Sequence, residues 1–181
     1  MPRTSHRLAR LGAGLSVVAA SSAATLLAAV PAHAATPVVV SKISTPSVSA
    51  MRIVGSDGGE GIRVSTLNGF VTVSNSIGSV QAGAGCLQLG GVVRCDGVTS
   101  MSYSGNGGDD SFRNDTSVRI NSADGGAGSD RLFGGPADDR LRGGLGDDLV
   151  NGGGGTDSCE AEAESACERD IPPPPKVRVP R

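Results

Sequence analysis

Four aspartates stand nine residues apart: Asp130, Asp139, Asp148 and Asp157. Each follows a Gly-Gly pair at a fixed distance, beginning at Gly125, Gly134, Gly143 and Gly152. Carboxylates repeated at one interval among glycines are the materials of a hard-cation site, because glycine lets backbone carbonyls turn inward beside the carboxylates. The four copies run without a gap: GGAGSDRLF (125–133), GGPADDRLR (134–142), GGLGDDLVN (143–151) and GGGGTDSCE (152–160). A looser copy, GNGGDDSFR (105–113), carries Asp110 at the same sixth place.

The elements that must position these acids follow from the rest of the nonamer. Six residues of Gly and Asp make a turn. Three then run extended with one apolar side chain inward: Phe112, Leu132, Leu141, Val150 and Cys159 at the eighth place. One short strand buries little, whereas stacked strands cover one another. Two nonamers then form one coil of turn, strand, turn, strand. Alternate copies lie on the same side, so Asp130 stacks on Asp148 and Asp139 on Asp157. Stacked like charges repel unless a cation intervenes. Calcium suits such a site, taking six to eight oxygens in loose geometry, whereas magnesium demands a tighter octahedron. Zinc prefers nitrogen or sulfur. The expected ligands are these carboxylates and backbone carbonyls of Gly125, Gly134, Gly143 and Gly152. A Gly/Asp-rich linker is the competing reading, since residues 105–160 hold 11 acids against 5 bases. A linker, however, needs no fixed period and no inward residue. Without calcium the repeats are expected to be largely unfolded.

The period has departures. Ala137 replaces the fourth-place Gly of its copy, after Pro136, and Asn106 replaces the second Gly of the loose copy. Between Arg113 and Gly125 the period fails over NDTSVRINSAD. Read as an irregular half-coil, this stretch brings Asp110 to the side of Asp130, for a third shared ion.

The pattern resembles the calcium-binding nonapeptide repeat G-G-x-G-x-D-x-U-x of RTX or hemolysin-type proteins, where U is a large apolar residue. The resemblance covers about a third of the chain and implies calcium as cofactor and a short parallel β-roll. A leading segment with AGAGC…C (Ala82 to Cys95), then GVTS, then nonamers ending in a Cys pair looks like small exported calcium-binding proteins of actinobacteria.

Composition agrees with a chain that needs help to fold. Only 2% of the 181 residues are aromatic, with no Trp. Metal and disulfides commonly substitute for a large core. Four cysteines, Cys86, Cys95, Cys159 and Cys167, allow three pairings, and the local pairing 86–95 with 159–167 is the simplest. Residues 1–34 read as a secretory signal: Arg3, Arg7 and Arg10, an apolar run from Leu11 to Val30, and Ala32-His33-Ala34 before the cut. An uncleaved membrane anchor is the alternative, but Ser and Thr dilute the run, and no later stretch is long enough to span a bilayer. Cleavage removes both histidines and three arginines, so 13 bases face 18 acids for a formal charge of −5. Nothing in that balance suggests nucleic acid.

The expected organisation is all-β: signal peptide 1–34, mobile arm 35–47, small β-rich segment 48–104, calcium-binding repeats 105–160, and a C-terminal cap with a Pro-rich tail 161–181. IRVSTL-NG-FVTV reads as a hairpin on Asn68-Gly69, pairing Thr66 with Val71 and Val64 with Val73. CEAEAESACERD (159–170) is the one helical candidate. Functionally, the pattern points to a secreted, non-catalytic calcium-binding protein. The alternatives are a cell-surface adhesin, or the folding module of a toxin or enzyme. Catalysis lacks materials: there is no H-E-x-x-H, no G-x-S-x-G, and no histidine after residue 33. Acid pairs such as Asp109-Asp110, Asp138-Asp139 and Asp147-Asp148 sit inside the turns, where ligation accounts for them better than glycoside hydrolysis.

Overall fold

The computed structural model describes residues 36–167 and the backbone of 169–170. The expected signal peptide, its cut after Ala34 and the Pro-rich tail lie outside the described residues. Those described form strands and no helix. In chain order these are β1 (Val38–Ser44), β2 (Ser49–Val54), β3 (Gly61–Leu67), β4 (Phe70–Asn75), β5 (Val80–Ala82), β6 (Leu87–Leu89) and β7 (Val92–Cys95). They continue as β8 (Ser100–Ser104), β9 (Ser111–Asn114), β10 (Arg119–Ala127), β11 (Arg131–Phe133) and β12 (Arg140–Leu145). The series closes with β13 (Leu149–Asn151), β14 (Ser158–Glu160), β15 (Ala163–Ser165) and β16 (Arg169–Asp170). No helix among the described residues is long and apolar enough to cross a membrane.

Two eight-stranded sheets result, ordered β16-β14-β12-β10-β8-β2-β1-β5 and β15-β13-β11-β9-β3-β4-β7-β6. From β8 onward successive strands alternate between the sheets and pair in parallel. Within the repeats Ala123 lies beside Leu141, Arg131 beside Leu149 and Arg140 beside Ser158, so one coil takes 18 residues. This is the two-nonamer coil that the repeat length requires.

The inward residues stack in two columns. Ile62, Phe112, Leu132 and Val150 align across one sheet. Ile53, Tyr103, Ala123, Leu141 and Cys159 align across the other. All are buried. A fully buried aliphatic side chain contributes about 1.5–3 kcal/mol, but only when a neighbouring coil covers it. The Tyr103 and Phe112 rings stack with centroids 4.5 Å apart, joining the two columns.

The sheets run without a break across residue 104. β2 pairs in parallel with β8, and β3 with β9, so residues 49–67 supply a first coil of the same winding. An insertion then leaves the stack and closes its end: β4 folds back on β3, β7 on β4 and β6 on β7, all antiparallel. Asn68 and Gly69 adopt φ of 51° and 82°, the left-handed pair that a tight hairpin turn needs. Thr66 pairs with Val71 and Val64 with Val73, as expected. Disulfides join Cys86 to Cys95 and Cys159 to Cys167, so the local pairing holds.

Two expectations are corrected. Residues 38–44, assigned to a mobile arm, form β1, antiparallel to β2 and parallel to β5. Val38 and Val40 alternate into the core, and that burial holds the strand. The helix expected over 159–170 is replaced by β14, β15 and β16. Helices shorter than about 12–15 residues are marginal alone. Here Cys159 gains more by completing the column under Leu141.

Candidate metal centre

The aspartates form two rows, one along each line of turns. The Asp130 N–H donates to Asp148 Oδ1 at 2.9 Å, and the Asp139 N–H to Asp157 Oδ1 at 2.8 Å. Alternate copies are thus coupled, as the coil length dictates. Asp110 joins the first row, its N–H donating to Asp130 Oδ1 at 2.8 Å. The half-coil 114–124 therefore brings Asp110 over Asp130. Two further acids extend this row. The Glu60 N–H donates to Asp110 Oδ1 at 2.8 Å, and the Asp148 N–H to Glu162 Oε2 at 3.3 Å. The long row reads Glu60, Asp110, Asp130, Asp148, Glu162. The short row holds Asp139 and Asp157, and Asp139 Oδ1 accepts the Ile120 N–H at 2.7 Å.

With Oδ1 turned to the preceding coil, Oδ2 faces the glycine that opens its own turn. A Cβ on Gly125 would collide with Asp130 Oδ2 and with Gly143 O of the next coil. At Gly134 it would meet Asp139 Oδ2 and Gly152 O, and at Gly152 Asp157 Oδ2 and Ala166 O. A Cβ on Gly143 would meet the Asp148 carboxylate. The first-place glycines are thus required by close approach: each keeps open a spot where a carboxylate oxygen lies, together with a main-chain carbonyl at Gly125, Gly134 and Gly152. Among the described residues no three His, Cys, Asp or Glu side chains converge on one point. A cation here must draw much of its shell from carbonyls, as calcium readily does. Asp130 Oδ2 is buried without a hydrogen-bond partner, an atom that desolvation penalises unless a cation or proton meets it.

The acids are poised accordingly. Burial pushes the Asp110 carboxyl up to about 7, with the Glu60 carboxylate adding to the shift. Burial also raises Asp130 and Asp139; Asp148 and Asp157 push them further, while backbone N–H donors oppose. A raised carboxyl pKa means that the folded chain without metal holds protons that the unfolded chain has released. For Asp110, that contribution is full below the ordinary carboxylate pKa and is lost as pH rises through about 7. A bound cation replaces the proton's role. Burial, then Asp110, likewise raise the Tyr103 hydroxyl, which donates to Asp110 Oδ2 at 3.2 Å.

The sequence model of the RTX calcium-binding nonapeptide repeat matches residues 124–159, in four copies. That segment is an RTX repeat array. No curated protein and no solved structure matches the chain. The RTX match spans the short row and the centre of the long one. Glu60, Asp110 and Glu162 lie beyond it.

Sequence reasoning missed Glu60 and Glu162. The signal for Glu60 was present: GSDGGEGIR (55–63) places Gly55, Glu60 and Ile62 at the first, sixth and eighth places of a nonamer. Glu in place of Asp, and the 50 residues separating it from the next coil, hid it. Glu162 had no periodic signal, because the last coil is short: Leu149 pairs with Ala163, 14 residues on rather than 18.

Proposed function

We propose that this is a secreted, non-catalytic calcium-binding protein whose stacked coils fold on meeting extracellular calcium. The carrying observation is the repeated meeting of a buried carboxylate oxygen with a neighbouring coil's carbonyl beside a glycine. Oxygen-only shells of mixed origin favour calcium over magnesium or zinc. Asp130, Asp148 and Asp110 in one row, and Asp139 with Asp157 in the other, are the proposed carboxylate ligands. Gly125, Gly143 and Gly152 offer carbonyls to the preceding turn, and Gly134 lines the turn facing Gly152. Binding energy of this kind becomes folding energy when the site does not exist in the unfolded chain.

Export is supported by the signal-like first 34 residues and by the two disulfides, which persist in oxidising compartments. A purely calcium-binding role is supported by the missing histidine base and by acids committed to the rows. Far-UV circular dichroism of the chain starting at Ala35 tests the reading. In chelator the β signal should be weak, and millimolar calcium should restore it. Identical spectra in both conditions would contradict it.

A further inference from the structure

We propose that the turn Gly55–Glu60 of the first coil, with the turn Gly105–Asp110 beside it, binds a further divalent cation, calcium by its oxygen chemistry. The proposal rests on the reading that the acidic rows bind calcium, and adds a site outside the RTX array. Glu60 is 3% exposed. Its Oε1 accepts the Ser56 N–H at 3.0 Å and the Ser56 hydroxyl. Its Oε2 is buried with no hydrogen-bond partner. That oxygen is aimed at Gly55: a Cβ built there would lie 2.8 Å from Glu60 Oε2 and 2.6 Å from Gly105 O.

A buried carboxylate oxygen and a carbonyl of the next coil thus converge on space that only glycine leaves open. The same pair of atom types converges at Gly105, where Asp110 Oδ2 meets Gly125 O, and again at Gly125 and Gly134 inside the array. The second residue of the turn donates to the carboxylate in both places, Ser56 N–H to Glu60 Oε1 and Gly135 N–H to Asp139 Oδ2 at 2.7 Å, but only at Glu60 does this leave the glycine-facing oxygen open. Register completes the likeness, since Ile62 lies beside Phe112 in the core column. Glu60 and Asp110 are both buried carboxylates in adjacent turns, and an unpaired buried charge is costly. A cation between the turns would offset both charges.

Calcium counting by equilibrium dialysis at neutral pH, on the full chain and on Glu60→Gln, is the test. Gln keeps an acceptor for Ser56 and removes only the charge. The expected result is one calcium ion fewer in Glu60→Gln, with the β signal retained. An equal count would overturn the Glu60 site while leaving the calcium-binding function intact. A wild-type chain that takes up no calcium would instead overturn the function itself. If Glu60→Gln does not fold, anomalous diffraction from crystals of the wild-type chain loaded with terbium decides. A peak beside Glu60 Oε2 and Gly105 O, separate from any beside Asp110 Oδ2 and Gly125 O, is expected. Terbium bound along the rows with no peak beside Glu60 would overturn the proposal.

Discussion

The stack closes its turns in two ways. Along the acidic rows the turns from Asp110 onward are held by a carboxylate that accepts from the coil before it and brings a negative charge inside. The turn after β9 uses neutral groups instead. Asn114 Oδ1 accepts the Thr116 N–H at 3.0 Å and the Thr116 hydroxyl at 2.7 Å, and Asn114 Nδ2 donates to Val118 O at 2.9 Å. The Val118 N–H then donates to Thr116 Oγ1 at 3.1 Å. Asn114 and Thr116 are as buried as the aspartates, yet they carry no charge to desolvate. The neutral turn satisfies its own polar groups, whereas the acidic turns bury charge that the proposed cation would offset. On the proposed function, metal dependence is a property of particular turns rather than of the winding.

The comparison breaks most visibly at Asp130. It lies mid-row, accepting from Asp110 and donating to Asp148, whereas Asp157 accepts from Asp139 at the end of the short row's pair. Asp130→Ala should lose about two calcium ions and on the order of 3–5 kcal/mol of stability in saturating calcium. Asp157→Ala should lose about one ion, and Asp139→Ala with Asp157→Ala little more, because coupled partners are non-additive. Calorimetric stoichiometry beside urea titration reads both. Equal losses at Asp130 and Asp157 would dissolve the distinction between the rows.

A smaller effect is expected at the C-terminal end, where Cys159–Cys167 closes an eight-residue separation. Replacing both cysteines with Ala should cost about 2–3 kcal/mol by the chain-entropy argument. It should also raise the calcium needed for folding, because Glu162 lies within that loop. Unchanged calcium midpoints would mean that the last coil is held by strand pairing alone.

Asn114→Ala sharpens the contrast from the neutral side. It strands the Thr116 and Val118 groups, for a cost of about 1–3 kcal/mol. That cost should appear in the calcium midpoint as a plain stability loss, with no change in the number of ions bound. Loss of an ion would show that this turn, too, is metal-supported.

The smallest effect lies at the surface. Burial raises the Asp115 carboxyl, but Arg113 and then Arg63, at 2.7 and 2.6 Å, hold it below its usual range overall. A lowered carboxylate pKa contributes stability above the ordinary value and loses it as pH falls through the lowered one. Asp115→Asn should cost under about 1 kcal/mol at pH 7. The difference from wild type should fade in acid and in high salt.

The array was legible in the sequence because glycine and aspartate recur at a fixed nine-residue interval, and because Leu132 and Val150 mark one inward column and Leu141 the other. The hairpin on Asn68-Gly69 was legible from its turn chemistry. β1 was not, since Pro, Ser and Thr around Val38 and Val40 masked a two-residue alternation. The 159–170 segment misled because Ala and Glu are good helix formers, and propensity yields to the column that Cys159 completes. Glu60 was hidden by distance: its partner Asp110 lies 50 residues on, across the inserted hairpins.

Amide hydrogen exchange, with and without calcium, tests the central claim most directly. With calcium, the amides of Glu60, Asp110, Asp130, Asp139 and Asp148 should be protected, since each donates into the rows. In chelator these amides should exchange far faster, while the Val64–Val73 hairpin, which contains none of these acids, should keep more of its protection. Protection of the row amides unchanged by chelation would contradict the account.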